Sequence, residues 1–562
     1  MRGNFFLCIY KKYDTHYMRL PRVIKNVLVR HKHKAIRQYM RGYRQLRGTG
    51  DLARVEDIKD ALAHTEICVA GKASVTFFGA SLPFADKVIR QYLLITIAEK
   101  SLNRKLLAAC AHARYSIVHP LPEVWRRTLA AHGFPVSNLR CQLLWMAFLV
   151  AMYCYGLVAI SRTLMTALAR RDEAPMGDSA YFAGISAGQL PRRQEPSWDV
   201  FSWYASWASR APALQALTHS IGSPAQAQAG GLPLRFVRQP QPPPVGFYEW
   251  SRLAWRCCGL IYLATASALR GRWWHALLLR EAVRAAEIQA VSPDRLPKDY
   301  LINNSGWLYR PIWTYFAEAA GSRVLFYFYS TNCEVFKKTH GYPRQSNHWE
   351  LCSWSSYLVW DEYQKDFIRR LGLDGDIYIV GPIWFSDADA RIPQLTGAKV
   401  AVFDVQPMRD SIYQSFALSM EYYTPDTAIR FAEDVVAAVQ ASRAHVLWKR
   451  KRNIGRNVHP LYVQVLNRLT NEDRIVSIEP SLAAQHVIAV SDCVVSMPFT
   501  STAIVARTMN KPSCYYDPTG LVEANDRAAH GIEILKTAGE LNAWIQKNAV
   551  VHASVDGSGQ NE

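Results

Sequence analysis

The feature that most constrains this chain is the regular alternation of short apolar runs and amphipathic segments in its last third. From Val400 the order is VAVFDVQP, AIRFAEDVVAAV, HVLWK, LYVQVLNRL, RIVSI, LAAQHVIAV, DCVVSM, TSTAIVARTM and SCYYD. Apolar runs of this length read as strands covered on both faces, and the helix-period segments between them supply the crossovers that parallel pairing needs. In the AIRFAEDVVAAV segment Ile429, Ala432, Val436 and Val439 share one helix face. The pattern predicts a doubly wound α/β domain over residues 391–550.

A second alternating set lies upstream: YLINNSG, IWTYFAEAAG, RVLFYFYS, SYLVW, EYQKDFIRRLG and DIYIVGP. It predicts another parallel sheet in a domain over 61–390, with the less regular pieces Cys68–Gly79 and Tyr115–Leu139 read as the start of the same domain. A chain of 562 residues is too long for one ordinary core. Two α/β domains joined near GPIW would form a cleft, with ligands at the carboxyl ends of strands.

Charge is unevenly placed. The net charge of +20 invites a nucleic-acid reading, but between Lys11 and Arg47 twelve Lys and Arg face one acid, Asp14, so the excess is partly local. No helix-turn-helix, zinc-finger or RNP-like string accompanies it. Residues 1–60 are therefore read as a basic N-terminal extension suited to an anionic membrane surface or to plain solvation, and 551–562 as a flexible tail. The eleven scattered cysteines contain no CxxC pair, which points to reduced thiols in a cytosolic setting. The run FFLCIY near the start is too short for a signal peptide.

Two segments interrupt the 61–390 region. Residues 141–161 form an uncharged run, CQLLWMAFLVAMYCYGLVAIS, long enough for a bilayer of about 30 Å. Basic residues flank it on both sides, which the positive-inside rule disfavours for a span, so a re-entrant, interfacial or buried helix is expected. Residues 221–246 carry six prolines and four glycines and are expected to be a loop or hinge, without helix or central strand.

The chemistry concentrates where strands end. In DCVVSMPFTSTAIVARTMNKP a strand carrying Ser496 runs to Pro498 and Phe499, and a helix opens with Thr500, Ser501 and Thr502. A helix start rich in hydroxyls favours an anion such as a phosphate, and ordinary N-capping is the plain alternative. A second helix start has His459 at the cap and Pro460 at the first helical position, preceded by Lys449 and Lys451 at the end of HVLWK.

The segment SMPFTSTAIVARTMNKPSCYYDP resembles the signature of the polysaccharide biosynthesis PFTS motif family of bacterial capsule and O-antigen loci. YLVWDEYQ, VGPI and VFDVQP are compatible with its layout. The resemblance implies a GT-B-like glycosyltransferase: two facing Rossmann-type domains with a deep interdomain cleft, the C-terminal one holding a nucleotide sugar. The His459–Pro460 pair with a Ser/Thr helix start also looks like bacterial sialyltransferases and related CMP-sugar enzymes. The chain departs from those in placing Lys449 and Lys451 well ahead of His459 and in reading PFTST for a Ser-Ser pair, so CMP-sugar is a lean and UDP- or GDP-sugar stays open.

Asp404 and Gln406, at the end of the first C-terminal strand, are candidate ribose or phosphate contacts, and Glu479 after RIVSI a candidate ribose ligand. Glu334 and Asp361 follow strands of the upstream domain, where a general base for an acceptor hydroxyl would sit. Asp374 with Asp376 and Asp387 with Asp389 read as surface turns rather than metal sites, and AGKAS at 70–74 lacks the first glycine of a P-loop. The expected protein is a metal-independent glycosyltransferase without a cofactor, acting on a glycan or lipid-linked glycan acceptor, with no nucleic-acid partner. It is expected in the bacterial cytoplasm, peripheral to the inner face of the membrane. A CDP-alcohol polyol-phosphate transferase and a non-catalytic membrane-associated scaffold are the alternatives.

Overall fold

The computed structural model describes residues 51–549, apart from stretches that include 68–75, 170–176, 192–198, 209–213, 223–227, 304–308, 384–391 and 410–421. The basic segment 11–47, the tail 551–562, and Asp387, Asp389 and Lys451 lie outside the described residues.

Helices come first: α1 (Asp51–His64), α2 (Leu82–Leu93), α3 (Asn103–Ala111), α4 (Glu123–Ala131) and the long α5 (Asn138–Ala169). Most of the piece Cys68–Gly79, expected at the start of the sheet domain, lies outside the described residues, and Tyr115–Leu139 forms helix and loop beside the sheet. Pro122 starts α4, which buries Trp125 and Leu129 on one face, and the described pairing nearby is the isolated bridge Ile117–Val136. The apolar run 141–161 lies inside α5, which extends it by three residues at the front and eight at the back.

The first sheet is built from β1 (Ser179–Ala183), β2 (Ala216–His219), β3 (Gln228–Ala229), β4 (Leu232–Phe236), β5 (Asp299–Asn303), β6 (Arg323–Tyr327), β7 (Ser356–Val359) and β8 (Asp376–Ile379), in the order β3-β4-β2-β1-β5-β6-β7-β8. All neighbours are parallel except β3 with β4. Between these strands run α6 (Val200–Ala208), α7 (Gly246–Leu269), α8 (Trp274–Ala290), α9 (Ile312–Ala319) and α10 (Glu362–Arg370). The Pro-rich segment 221–246 is not wholly loop, because it contains β3 and β4. Gly230 and Gly231 take positive φ in the turn between them, and a Cβ on Gly230 would come 2.6 Å from Ala205 Cβ. Four of the prolines, 240 and 242–244, fall after β4, and Pro233 sits beside the two-residue edge strand.

The second sheet follows the predicted alternation: β9 (Lys399–Phe403), α11 (Pro425–Ser442), β10 (His445–Lys449), α12 (Pro460–Leu469), β11 (Ile475–Ile478), α13 (Ala484–Ala489), β12 (Cys493–Ser496), α14 (Ser501–Thr508) and β13 (Ser513–Tyr516). A last strand, β14 (Glu533–Leu535), and α15 (Ala538–Asn548) complete it. The order is β11-β10-β9-β12-β13-β14, all parallel. The chain is thus α/β with two parallel sheets, each wound outward from its first strand in one direction and then resumed on the other side. The reversals fall between β1 and β5 and between β9 and β12, where diverging crossovers open a crevice at the carboxyl ends.

Candidate functional site

At the reversal of the second sheet Ser496 pairs with Phe403, and Met497 N–H donates to Phe403 O over 2.8 Å, so the segments after β9 and β12 leave side by side. The first side chain past β9 is Asp404, which is buried and accepts a hydrogen bond on Oδ2 from the Tyr462 hydroxyl of α12. Burial pushes its carboxyl up to about 6 against the opposing pull of Tyr462, the Trp448 indole and Arg450. Although the indole favours the ionised form, neither Trp448 Nε1 nor Asp404 Oδ1 completes a hydrogen bond.

Two more buried polar atoms here have no hydrogen-bond partner: Arg450 Nε just after β10 and His459 Nδ1 at the start of α12. His459 is tied to the end of β9 through its backbone, since its N–H donates to Pro407 O at 2.9 Å. Each buried polar atom left unpaired costs about 1–3 kcal/mol. Four of them at adjacent strand ends and one helix start are the pattern of a site completed by a polar ligand.

The segment after β12 adds an anion-type feature. Phe499 is held at φ 62°, a conformation a bulky residue rarely adopts. The Tyr423 hydroxyl donates to Pro498 O and the Tyr515 hydroxyl to Thr500 O, which pins the loop carbonyls. Thr500 occupies the N-cap of α14, but its hydroxyl donates to Met497 O at 2.9 Å and does not cap the helix. The first turn of α14 is therefore without a side-chain cap, which leaves its backbone donors for an anion. The Thr502 hydroxyl is shared with Ser496 Oγ at 2.9 Å and Thr500 Oγ1 at 3.2 Å. Of the three hydroxyls expected to meet a ligand, two are engaged in this internal ladder, and Ser501 is the one outside it.

Other predicted residues take different places. His459 is at the N-cap of α12 with Pro460 at the first position, yet its ring makes no capping bond, so the capping alternative does not describe it. Lys449, expected as a phosphate-seeking cation, is buried, and its Nζ donates to the carbonyls of Arg450 (3.0 Å) and Pro480 (3.1 Å); it ties the end of β10 to the end of β11. Gln406 is half-buried two residues beyond Asp404. Glu479 is exposed beyond β11, the edge strand, two strands away from β9.

The two expected base candidates serve the contact between the halves of the molecule. Glu334 holds Arg370 Nη2 at 2.6 Å on one oxygen and Arg527 Nε on the other. Neither oxygen is left to take a proton without breaking an ion pair. Asp361 caps α10 by accepting from Gln364 N–H at 3.0 Å, and His530 Nδ1 donates to its Oδ2 at 2.7 Å. The same contact includes Lys337 N–H to Asp526 Oδ2 (2.7 Å) and a stack of Phe336 on Phe499, centroids 5.4 Å apart. The strained Phe of the PFTST segment is thereby packed against the first half. His530, Arg527 and Phe336 carried no signal in the sequence, because their partners lie about 160–195 residues away and no spacing connects them.

No curated protein matches the chain. Solved structures align over part of it at low similarity. The UDP-GlcNAc 2-epimerase from Methanocaldococcus jannaschii is 10% identical, with TM-score 0.29 over 48% of this chain and 74% of its own. The glycotransferase of kitacinnamycin is 10% identical, with TM-score 0.33 over 66% and 90%. The E. coli heptosyltransferase solved with ADP is 12% identical, with TM-score 0.28 over 66% and 99%. Scores this low leave the fold assignment to the sheets described above. A family profile described as "Polysaccharide biosynthesis PFTS motif protein" matches residues 260–545, just over half of the 562-residue chain, from within α7 to within α15. The chain belongs to the polysaccharide biosynthesis PFTS motif protein family.

Proposed function

We propose that the chain is a glycosyltransferase of bacterial surface-polysaccharide assembly that binds a nucleotide sugar at the β9–β12 reversal. The observation that carries this reading is the convergence there of unpartnered Asp404 Oδ1, Trp448 Nε1, Arg450 Nε and His459 Nδ1 beside the uncapped start of α14. Arg450, His459 and the α14 backbone donors suit the phosphate of the donor, with the Ser501 hydroxyl beside them. Asp404 suits a hydroxyl or amino group of the nucleoside, which donates to the oxygen now unpaired. The lean is a CMP-sugar, from the His459–Pro460 start beside a Ser/Thr start. The acceptor is a glycan or a lipid-linked glycan of capsule or O-antigen type, and the chemistry is metal-independent because cationic and backbone donors take the phosphate charge.

The geometry gives Glu334 and Asp361 other work, so the base for the acceptor hydroxyl is not assigned to either. The test is a thermal-shift screen with CMP, CDP, UDP and GDP, since a ligand bound only by the folded state raises the melting temperature by mass action. One nucleotide class is expected to stand out, CMP first. Product analysis with that donor then decides the reaction. Transfer of a polyol phosphate would turn the reading to a CDP-alcohol enzyme, and binding with no turnover to a scaffold. No stabilisation by any of the four would overturn the donor site.

A further inference from the structure

Helices α5 and α7 both pack on α8, which is buried along most of its length. The inward stripe of α5 is Cys141, Trp145, Phe148, Met152, Gly156, Ile160 and Ala167, and it runs from one end of the helix to the other. At Gly156 the approach is so close that a Cβ would lie 2.7 Å from Leu279 Cβ. Among the described helices α5 is the one long and apolar enough to cross a membrane, yet it is held to the folded domain throughout, so crossing would carry that domain with it.

The opposite faces are apolar and open. On α7, Tyr248, Trp255, Tyr262 and Leu269 recur every seven residues, and Trp255 and Leu269 are 81% and 85% exposed. On α5, Leu143, Met146, Val150, Val158 and Met165 are exposed in the same way. The ring contact of Trp145 with Trp273, just after α7, and the Tyr153–Thr265 hydroxyl contact at 2.7 Å set the two helices side by side and antiparallel. Their outer faces form one surface.

Its charge is of one sign. α5 contains no acid, and the single acid of α7, Glu249, is buried against Arg295. Arg140 at the start of α5 and Arg270 and Arg272 just past α7 fall at one end and Arg162 toward the other, while Arg252 and Arg256 turn to α8 and donate to Gln289. α1 is held just ahead of α5, since its Arg54 donates to His132 O and Gly133 O. A second copy of this face would set arginine against arginine across a two-fold contact. Exposed aromatics between arginine-lined ends, with no acid, match the headgroup region of an anionic bilayer, where arginine stems lie along the apolar surface and their heads reach phosphate.

We propose that the joined outer faces of α5 and α7 dock this protein on an anionic membrane surface, with α5 lying along the interface and not crossing it. The inference is independent of the donor reading. The test is co-sedimentation of the full chain with phosphatidylglycerol–phosphatidylethanolamine vesicles and with phosphatidylcholine vesicles. The paired variants Trp255→Ser/Tyr262→Ser and Val150→Ser/Val158→Ser, all at exposed positions, are each expected to bind anionic vesicles about tenfold less, with melting temperature and nucleotide-induced shift unchanged. Vesicles are also expected to shield the exposed thiols of Cys154 and Cys258 on this face from a water-soluble maleimide. Three results would overturn the proposal: undiminished vesicle binding in both paired variants, retention through alkaline carbonate extraction, as a spanning helix shows, or loss of self-association in the variants with vesicle binding intact.

Discussion

The two parallel sheets share one winding scheme and differ at the point where it reverses. Between β1 and β5 the Asn303 amide reaches across to Ala183 O and Gly184 O, at 3.4 and 3.2 Å, so a side chain bridges the two strand ends. The buried acid of β5, Asp299, lies at the opposite, amino end of its strand, held by Arg323 and the Tyr204 hydroxyl. Between β9 and β12 the acid lies at the carboxyl end, with one oxygen, one indole, one guanidinium nitrogen and one imidazole nitrogen left unpartnered. The shared winding thus yields in one half a reversal bridged by a side chain, with the Tyr300 and Tyr327 hydroxyls unpartnered on β5 and β6, and in the other a reversal where an acid, an indole, a guanidinium and an imidazole are all incompletely satisfied. Topology opens the crevice, and the residue types at the strand ends decide whether it is filled from within.

The largest effect that would sharpen this contrast is expected at Asp404. Its folded carboxyl, raised from 3.8 to about 6 by burial, binds its proton more tightly than the unfolded chain does. Its contribution is therefore fully present below pH 4 and is lost as pH rises through about 6. The rise corresponds to about 3 kcal/mol. Asp404→Asn is expected to stabilise the protein by up to that amount at neutral pH, with little gain at pH 4, as measured by denaturant melts at both pH values. A gain equal at both would show that the charge is not what the site strains against. Loss of nucleotide affinity in the same variant would show that the free oxygen serves the ligand.

At His459 the expectation is a separation of binding from stability. Because its ring does not cap α12, His459→Asn is expected to hold or raise the melting temperature by supplying a capping side chain. Nucleotide affinity is expected to fall by about 1.5–3 kcal/mol, roughly 10- to 100-fold. Wild-type affinity in calorimetric titrations of His459→Asn would remove it from the phosphate site. Ser501→Ala should cost about 1.5 kcal/mol of affinity and leave the melt unchanged, being outside the Ser496–Thr502–Thr500 ladder. Thr500→Val breaks a bond within that loop and should lower stability as well.

The smallest effect is expected at the other reversal. Asn303→Ala removes the bridge to Ala183 O and Gly184 O and should cost about 1 kcal/mol of stability with no change in nucleotide affinity. If this variant weakened binding as much as His459→Asn, the two reversals would not differ in function and the comparison would fail.

Much of the second sheet is legible in the residue pattern. Strands β9 to β13 each coincide with a run picked out by alternation, because buried parallel strands must be apolar on both faces and helices between them must not be. The three-residue β14 is too short to carry such a pattern. In the first half β1, β2 and β4 are four or five residues long, as β9 to β13 are, but the Pro-rich segment and the long α7 and α8 break the regular strand–helix alternation around them, so their membership is settled by the neighbours they pair with.

At the candidate site the residue types singled out Asp404, His459, Ser496 and the PFTST segment, and these gather at one reversal. Sequence alone determined the α/β class, the parallel winding of the second sheet and the position of the helix starts, since these follow from periodicity and from backbone chemistry local to a few residues. Only the tertiary structure decided which polar groups are already satisfied. It bound Lys449 to two carbonyls, closed the threonine hydroxyls on one another, and turned Glu334 into an ion-pair anchor for Arg527 and Asp361 into a hydrogen-bond anchor for His530. A hydrogen bond depends on where its partner lies in space, and partners up to 193 residues apart leave no mark in the local pattern.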